Sequence, residues 1–286
     1  MSARRALITG ASGQLGSDLT ELVAGDWEVS ALAHSELDVT DGEALAGAFE
    51  AARPDAVFNC AAFHNVEVCE REEAQALAVN VTAVKAMAEL CSEAGAALVH
   101  LSTNYVFDGR REEPYDEGDL PAPRSVYALS KLAGEHAALA YCERALVVRS
   151  AGLYGLHGSQ SKGGNFVTRM LARAREEGRL RMVADQRLSP TFTADLAAGL
   201  RAALDAGATG LLHMTSSGSC SWHEFTEAIV ELAGVEVPVE AVATTIPPGG
   251  ADRPLNGVMA SRAARPPLRH WRDALADYMR RAGLTA

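Results

Sequence analysis

The stretch Ala6-Leu7-Ile8-Thr9-Gly10-Ala11-Ser12-Gly13-Gln14-Leu15-Gly16 decides how this chain reads. Four residues of apolar strand run into a G-x-x-G-x-x-G turn, and an amphipathic segment, Gln14 to Val23, follows at once. A turn of this kind brings backbone N–H groups and a helix N-terminus to one point, which is where a pyrophosphate is held. Glycine spacing alone is a weak signal, but its place between the first strand and the first helix makes it a strong one. Gly10, Ser12, Gly13, Gln14, Leu15 and Gly16 are therefore expected to bind a dinucleotide, NADPH or NADH.

Outward from this turn, strands and helices alternate. Strands are expected at Val29 to Ala33, Ala56 to Asn59, Ala97 to Ser102 and Leu146 to Arg149. Helices are expected at Asp41 to Ala52, Glu73 to Ala94 and Val126 to Cys142, with Gly95 closing the second. Repeated βα units imply an α/β fold of Rossmann type, a doubly wound parallel sheet with helices on both faces. The second half is less regular. Helices are expected at Asn165 to Glu177, Thr193 to Ala206 and from Ser221, whose spacing to Glu224 is that of a capping box. A strand at Leu211 to Met214 and a last helix containing Trp271 complete the reading, with proline-glycine stretches at Pro247 to Gly250 and Arg265 to Pro267. The expected division is a cofactor domain over 1–155. Residues 156–286 form mostly a small C-terminal α/β substrate lobe, with some segments returning to the first core.

Composition narrows the partners. The chain has 286 residues, 48% hydrophobic and 22% charged, as a globular protein should. A net charge of -11 argues against a nucleic-acid partner, since a phosphate backbone demands clustered cations. No apolar run approaches a membrane span, and the N-terminal apolar stretch is too short for a signal peptide. Five scattered cysteines without a C-x-x-C pair give no disulfide framework and no metal site, and fit a reducing cytoplasm. A homodimer is allowed but not specified.

Only three lysines occur, Lys85, Lys131 and Lys162, and one follows a tyrosine at the spacing Tyr127-Ala128-Leu129-Ser130-Lys131. A Tyr-x-x-x-Lys pair is expected by chance only about 0.06 times here, so the pair is informative. On one helix face the ammonium should lower the phenol's pKa and make Tyr127 a general acid for a carbonyl under reduction. Strand four ends Ser102-Thr103-Asn104-Tyr105, where the Thr103 hydroxyl is placed to polarise a carbonyl oxygen. Asn59, Cys60, Ala61 and Ala62 close strand three, where a dinucleotide crosses the sheet. Asn80 either braces the active-site strand or is a buried amide. Strand two ends Leu32-Ala33-His34-Ser35, without the acid that would select NAD, which favours NADP slightly. His34 reads equally as a phosphate contact or a solvated loop residue, and Asp38 as an adenine contact or a polar loop residue.

Together these residues resemble the extended short-chain dehydrogenase/reductase family, over nearly the whole chain. Within it, the specific likeness is to reductases of nucleotide-linked 6-deoxy-4-keto sugars. It rests also on Leu37-Asp38-Val39-Thr40, Tyr105-Val106-Phe107-Asp108-Gly109, Gly164-Asn165-Phe166-Val167, Asp185-Gln186, Ser189-Pro190-Thr191 and Arg253-Pro254. The resemblance implies that hydride passes from NAD(P)H to the sugar C4 ketone. It makes Tyr127 the proton donor, Thr103 the partner of the carbonyl oxygen, and Lys131 the tuner of Tyr127 and holder of the ribose hydroxyls. It assigns Val39 to the cofactor site and Asn104, Tyr105, Gly152, Asn165, Gln186, Arg187 and Arg253 to the substrate site. Arg187 and Arg253 are candidates for the diphosphate, or surface charges. The chain departs from the pattern at Asn104, where an aspartate is usual, and at Gly152, in a stretch that usually carries a tryptophan; the glycine should leave more space. The loop from Gly158 to Gly164, with Lys162, is expected to line the same region. A nucleotide-sugar dehydratase is disfavoured because Asn104 and Tyr105 follow Thr103 in place of an Asp-Glu pair. Two alternatives remain: a nucleotide-sugar epimerase, and a non-catalytic NADP-binding subunit similar to the beta subunit of methionine adenosyltransferase.

Overall fold

A computed structural model describes residues 3–157, 163–246, 250–263 and 267–286. The first half runs β1 (Arg4–Thr9), α1 (Gln14–Val23), β2 (Trp27–Leu32), α2 (Gly42–Ala52), β3 (Ala56–Asn59), α3 (Val66–Arg71) and α4 (Glu73–Leu77). A π-helical turn at Ala78–Thr82 leads into α5 (Ala83–Ala94), then β4 (Ala97–Thr103), a 3₁₀ turn at Asn104–Val106, α6 (Val126–Tyr141) and β5 (Ala145–Ser150). The second half runs β6 (Leu153–Tyr154), α7 (Phe166–Glu177), β7 (Leu180–Val183), β8 (Arg187–Leu188), β9 (Thr191–Phe192), α8 (Thr193–Asp205) and β10 (Gly210–His213). It ends with β11 (Ser216–Ser217), β12 (Cys220–Ser221), α9 (Trp222–Leu232), β13 (Val239–Val242), β14 (Leu268–His270) and α10 (Trp271–Arg281).

Six strands form one parallel sheet in the order β10-β5-β4-β3-β1-β2. Its inner strands read as apolar runs, such as Val57-Phe58 and Leu146-Val147-Val148, because both faces are covered. One face packs on α1 and α8 through Leu15, Leu19, Leu196 and Leu200. The other packs on α2, α5 and α6 through Leu45, Phe49, Met87 and Ala138. A third core, built on Tyr154, Phe192, Phe225, Trp271 and Tyr278, belongs to the second half alone. Yet β10 and α8, also from the second half, join the main sheet and its cover.

The structure departs from the sequence reading in places. The segment from Glu73 to Ala94 is not one α-helix: the π turn widens it at Asn80, whose amide bonds to the Phe63 backbone and to Ser130 Oγ. Such turns insert one residue and re-aim side chains. Helix α3 and the 3₁₀ turn were not expected, being too short to show a period. Asp41, at the expected start of α2, caps it by accepting from the N–H groups of Glu43 and Ala44. The expected box at Ser221 and Glu224 is present, and Asn165 with Thr168 makes a second. Residues 158–162, including Lys162, most of the stretch from Pro247 to Gly250 and most of that from Arg265 to Pro267 lie outside the described residues.

The glycine turn is as tight as the sequence demands. Gly10 sits at φ 66°, with an added Cβ only 2.7 Å from Ala61 N. A Cβ on Gly16 would lie 2.4 Å from Gly10 O. Gly16→Ala must therefore push α1 off the turn. We expect it to lower the unfolding free energy by about 1–3 kcal/mol in urea titrations and to weaken dinucleotide binding in parallel.

Candidate active site

The carboxyl ends of the sheet strands open onto one cleft of about 740 Å³. It lies where the strand order reverses between β1 and β3, the crevice in which open α/β sheets bind ligands. Gly13, Gln14, Leu15 and Gly16 line it, and the N-cap Gly13 offers α1 no side-chain acceptor. The first-turn N–H groups of α1 thus have no capping side chain, and the loop there is bare of bulk; both fit a dinucleotide pyrophosphate. Gln14 is itself occupied, its Oε1 accepting from Gly155 N at 2.9 Å.

Cys60, Ala61, Ala62, Ser102, Thr103, Tyr127 and Lys131 also line the cleft. Six of the expected cofactor residues do not. Gly10 is spent on close packing, and Ser12 lies in the turn without lining the cleft. His34 and Asp38 are exposed, and Asp38 Oδ1 accepts from Thr40 N and Thr40 Oγ1 in a local turn. Val39 is a core residue packed with Leu37 and Leu45. Asn80 acts from behind, through Ser130.

Helix α6 carries the reactive pair. Ser125 caps it by accepting from Ala128 N, and Glu70 accepts from Val126 N at 2.8 Å. Tyr127 and Thr103 face the same cleft, and the Tyr105 and Tyr127 rings meet edge-on with centroids 5.9 Å apart. The expectation for the acidity of Tyr127 is corrected: burial pushes the phenol above its ordinary value, and the neighbouring Thr103 side chain only partly opposes this. The reason is positional. Lys131, 2% exposed, points its Nζ at His100 Nε2, 3.3 Å away. Burial lowers Lys131 to about 8, against the pull of Glu135. Cys60, on the same wall, is pushed up to about 12 by burial.

Behind the reactive pair lies an ion pair that the sequence reading missed. Arg149 on β5 grips Glu135 on α6 with both ends of its guanidinium, at 2.8 and 2.6 Å, and Ser102 Oγ donates to the same carboxylate. Both side chains are 3% exposed. Buried charge is tolerated only when paired and hydrogen-bonded in this way. The pair fixes α6 against the end of β4, and so fixes Tyr127 against Thr103.

The expected substrate residues all reach the cleft. Several are committed elsewhere. Asn104 Nδ2 donates to Gly257 O, Gln186 Nε2 to Thr244 Oγ1, and Asn165 Nδ2 to Gly155 O and Tyr278 Oη. Arg187 pairs with Glu224 and Arg253 with Glu67, both half-exposed and open to exchange with an anion. The reading of Gly152 as free space is corrected. It sits at φ 55°, and a Cβ there would lie 2.6 Å from Leu188 Cδ1, so Leu188 already fills that side. Phe166 and Trp222, 4.4 Å apart, add an aromatic wall together with Arg169. Ser221, the neighbour of Trp222, was visible as a cap, but nothing in the sequence turns these side chains toward one cleft. Among the described residues one cluster has metal-ligand chemistry, Asp18, Glu21 and His157; there His157 Nε2 pairs with Glu21 Oε1 at 2.9 Å.

A glycine turn, a Tyr-x-x-x-Lys pair and a hydroxyl at the end of β4, gathered on a doubly wound sheet, define an extended short-chain dehydrogenase/reductase. Comparison with known proteins narrows this. Residues 4–283 match the family described as RmlD substrate binding domain. The chain is 41% identical over 285 residues to the dTDP-4-dehydrorhamnose reductase of Mycobacterium tuberculosis, covering 96% of this chain and 92% of the relative. It is 36% identical over 285 residues to the dTDP-4-keto-6-deoxy-D-glucose reductase of Streptomyces niveus, covering 96% of each. It also superposes with a TM-score of 0.92 on the crystal structure of dTDP-4-dehydrorhamnose reductase from Bacillus anthracis in complex with NADP. That match is at 32% identity, over 98% of this chain and 99% of that one. The chain belongs to the RmlD family. No described helix is long and apolar enough to cross a membrane.

Two buried histidines give the fold an acid limit. Burial holds His100 well below, and His213 below, their ordinary value of 6.5. In the unfolded chain each takes a proton near that value, so below it the unfolded state binds more protons and stability falls with pH. Urea midpoints should therefore be level above the unfolded histidine value and drop as the pH goes from about 6.5 to about 5.

Proposed function

We propose that this chain is an NADPH-dependent reductase of the C4 ketone of a dTDP-linked 6-deoxy-4-keto sugar, in dTDP-L-rhamnose synthesis or a related deoxysugar route. The observation that carries the proposal is the Thr103–Tyr127 hydroxyl pair in the cleft, between the bare glycine turn and the arginines of the second half. Membership of a family whose near relatives carry reductase names supports it.

Bound NADPH supplies the hydride. Tyr127 delivers the proton to the C4 oxygen as the hydride arrives, and a phenol held above its ordinary value keeps that proton across neutral pH. Thr103 stands beside Tyr127 on the cleft wall and orients the carbonyl between the two hydroxyls. Lys131 holds the ribose hydroxyls and, protonated once the cofactor is bound, supplies positive charge beside the developing phenolate. Residues 1–155 serve the cofactor. Residues from 156 on serve the nucleotide sugar, with Arg187 and Arg253 leaving their surface ion pairs for the diphosphate. The chain acts in the cytoplasm, consistent with five scattered cysteines that include no C-x-x-C pair.

Tyr127→Phe should lower turnover by about 10²–10⁴-fold while leaving the NADPH dissociation constant, read by fluorescence titration, nearly unchanged. The deciding assay follows NADPH oxidation against a panel of dTDP-linked and other 4-keto-6-deoxy nucleotide sugars, with products assigned by NMR. A reductase consumes cofactor in proportion to product. An epimerase leaves the cofactor pool unchanged, and a binding subunit turns over none of the panel.

A further inference from the structure

A row of polar side chains crosses the apolar heart of the sheet. Thr9 on β1, Asn59 on β3 and His100 on β4 stand in register on adjacent parallel strands. All three are buried, His100 completely. Polar groups in the middle of such a sheet are retained only when each is satisfied.

The donors and acceptors of this row can be assigned one by one. The Ala61 backbone N–H, which can only donate, gives to Asn59 Oδ1 at 3.2 Å, and the Thr9 hydroxyl gives to the same oxygen at 2.9 Å. The amide orientation of Asn59 is thereby fixed, and its Nδ2 faces His100 Nδ1 at 3.0 Å. An amide NH₂ only donates, so Nδ1 must accept, and a neutral ring must carry its hydrogen on Nε2. That hydrogen faces Lys131 Nζ across 3.3 Å. A neutral amine can accept it; an ammonium, with three donors and no acceptor, cannot. For an ammonium to bond here, the ring must shift its hydrogen to Nδ1, where it would meet the Asn59 NH₂ donor to donor. Either way one buried hydrogen bond is lost.

We propose that His100 is a positioning residue for Lys131: held by Asn59 in the Nε2–H tautomer, it donates to the amine and favours its neutral form in the free protein. Lys131 is thus governed by a chain of hydrogen bonds that starts at the end of the glycine-loop strand, at Thr9. The depressed pKa of Lys131 agrees with this arrangement. The other groups facing the pair are Glu135 from α6, which is committed to Arg149 and Ser102, and the Cys60 thiol after β3. Gly134 on α6 closes the remaining side, with an added Cβ 3.5 Å from His100 Nε2.

The catalytic meaning of the proposal rests on the reductase reading, but the chemistry of the pair does not, so the test begins without substrate or cofactor. Ring ¹⁵N spectra of the labelled protein, recorded above the Lys131 midpoint, should show His100 neutral, with an acceptor Nδ1 and a protonated Nε2. The Lys131 ¹³Cε titration should have its midpoint well below that of an ordinary lysine. His100→Leu removes the donor and should raise that midpoint by about one pH unit, the worth of one hydrogen bond. Asn59→Asp supplies an acceptor opposite Nδ1, and should move the ring hydrogen there and raise the midpoint through the same ring. The two substitutions should therefore combine to less than their sum. In the holoenzyme, the pH limb of kcat/KM that follows Lys131 should move with the midpoint. A hydrogen on Nδ1 in the wild-type protein above the Lys131 midpoint, a midpoint unmoved by His100→Leu, or fully additive shifts overturns the proposal. If His100→Leu does not fold, the tautomers of wild type and Asn59→Asp still decide it. Absence of turnover with every keto sugar would defeat the reductase reading and leave the ring and amine titrations standing on their own.

Discussion

The approach of α6 to the π turn is the contact on which the site depends. At Gly134 an added Cβ would lie 2.2 Å from Asn80 O, so any other residue would lift the helix away. Close approach is what brings Asn80 Nδ2 to Ser130 Oγ and buries Ser130, Lys131 and Glu135 in one turn of helix. The π turn contributes by placing Asn80 where its carbonyl faces Gly134 while its amide reaches Ser130 and the Phe63 backbone. The cost of bringing three polar residues inside is offset by specific partners: Asn80 for Ser130, His100 for Lys131, and Arg149 with Ser102 for Glu135. The partners come from three elements, the π turn, β4 and β5, so the helix is fixed in rotation as well as in distance.

Within that frame the two hydroxyls and the amine divide into separate environments. Tyr127 stands with Thr103 on the cleft side, and Lys131 faces inward to the sheet. The spacing of four residues puts them on one face, but the neighbours differ, and so do the directions in which burial moves their acidities: the phenol up, the ammonium down. Both shifts favour the uncharged forms, as expected of groups removed from water before a charged ligand arrives.

The parallel sheet, the glycine turn and the reactive pair were legible in the sequence because each has a local signature: apolar runs, glycine spacing and a helical repeat of four. What was not legible depends on register. Asn59 and His100 lie 41 residues apart and meet only because β3 and β4 align them, and Glu135 and Arg149 meet across α6 and β5. A hint was present: a histidine and an asparagine interrupt otherwise apolar central strands, where polar residues require a partner. Val39 was assigned to the cofactor site by resemblance and packs in the core, while His34 and Asp38, each read also as a loop residue, face solvent and close a local turn. The role of Gly152 was misread for the opposite reason: an absent side chain suggests a gap, but the left-handed backbone and Leu188 close it.

The return of β10 to the edge of the main sheet bears on how the chain can be made. Its partner β5 ends at Ser150, and β10 does not arrive until Gly210, after the chain has laid down α7 and α8. Until then the β5 edge has no strand beside it, and Leu15 and Leu19 of α1 lack the cover of Leu196 and Leu200. A ribosome that has released only the first 150 residues therefore presents an open sheet edge and an uncovered helix face, the features that chaperones bind and that invite aggregation. The sheet is completed late, by a segment that the other half of the chain supplies.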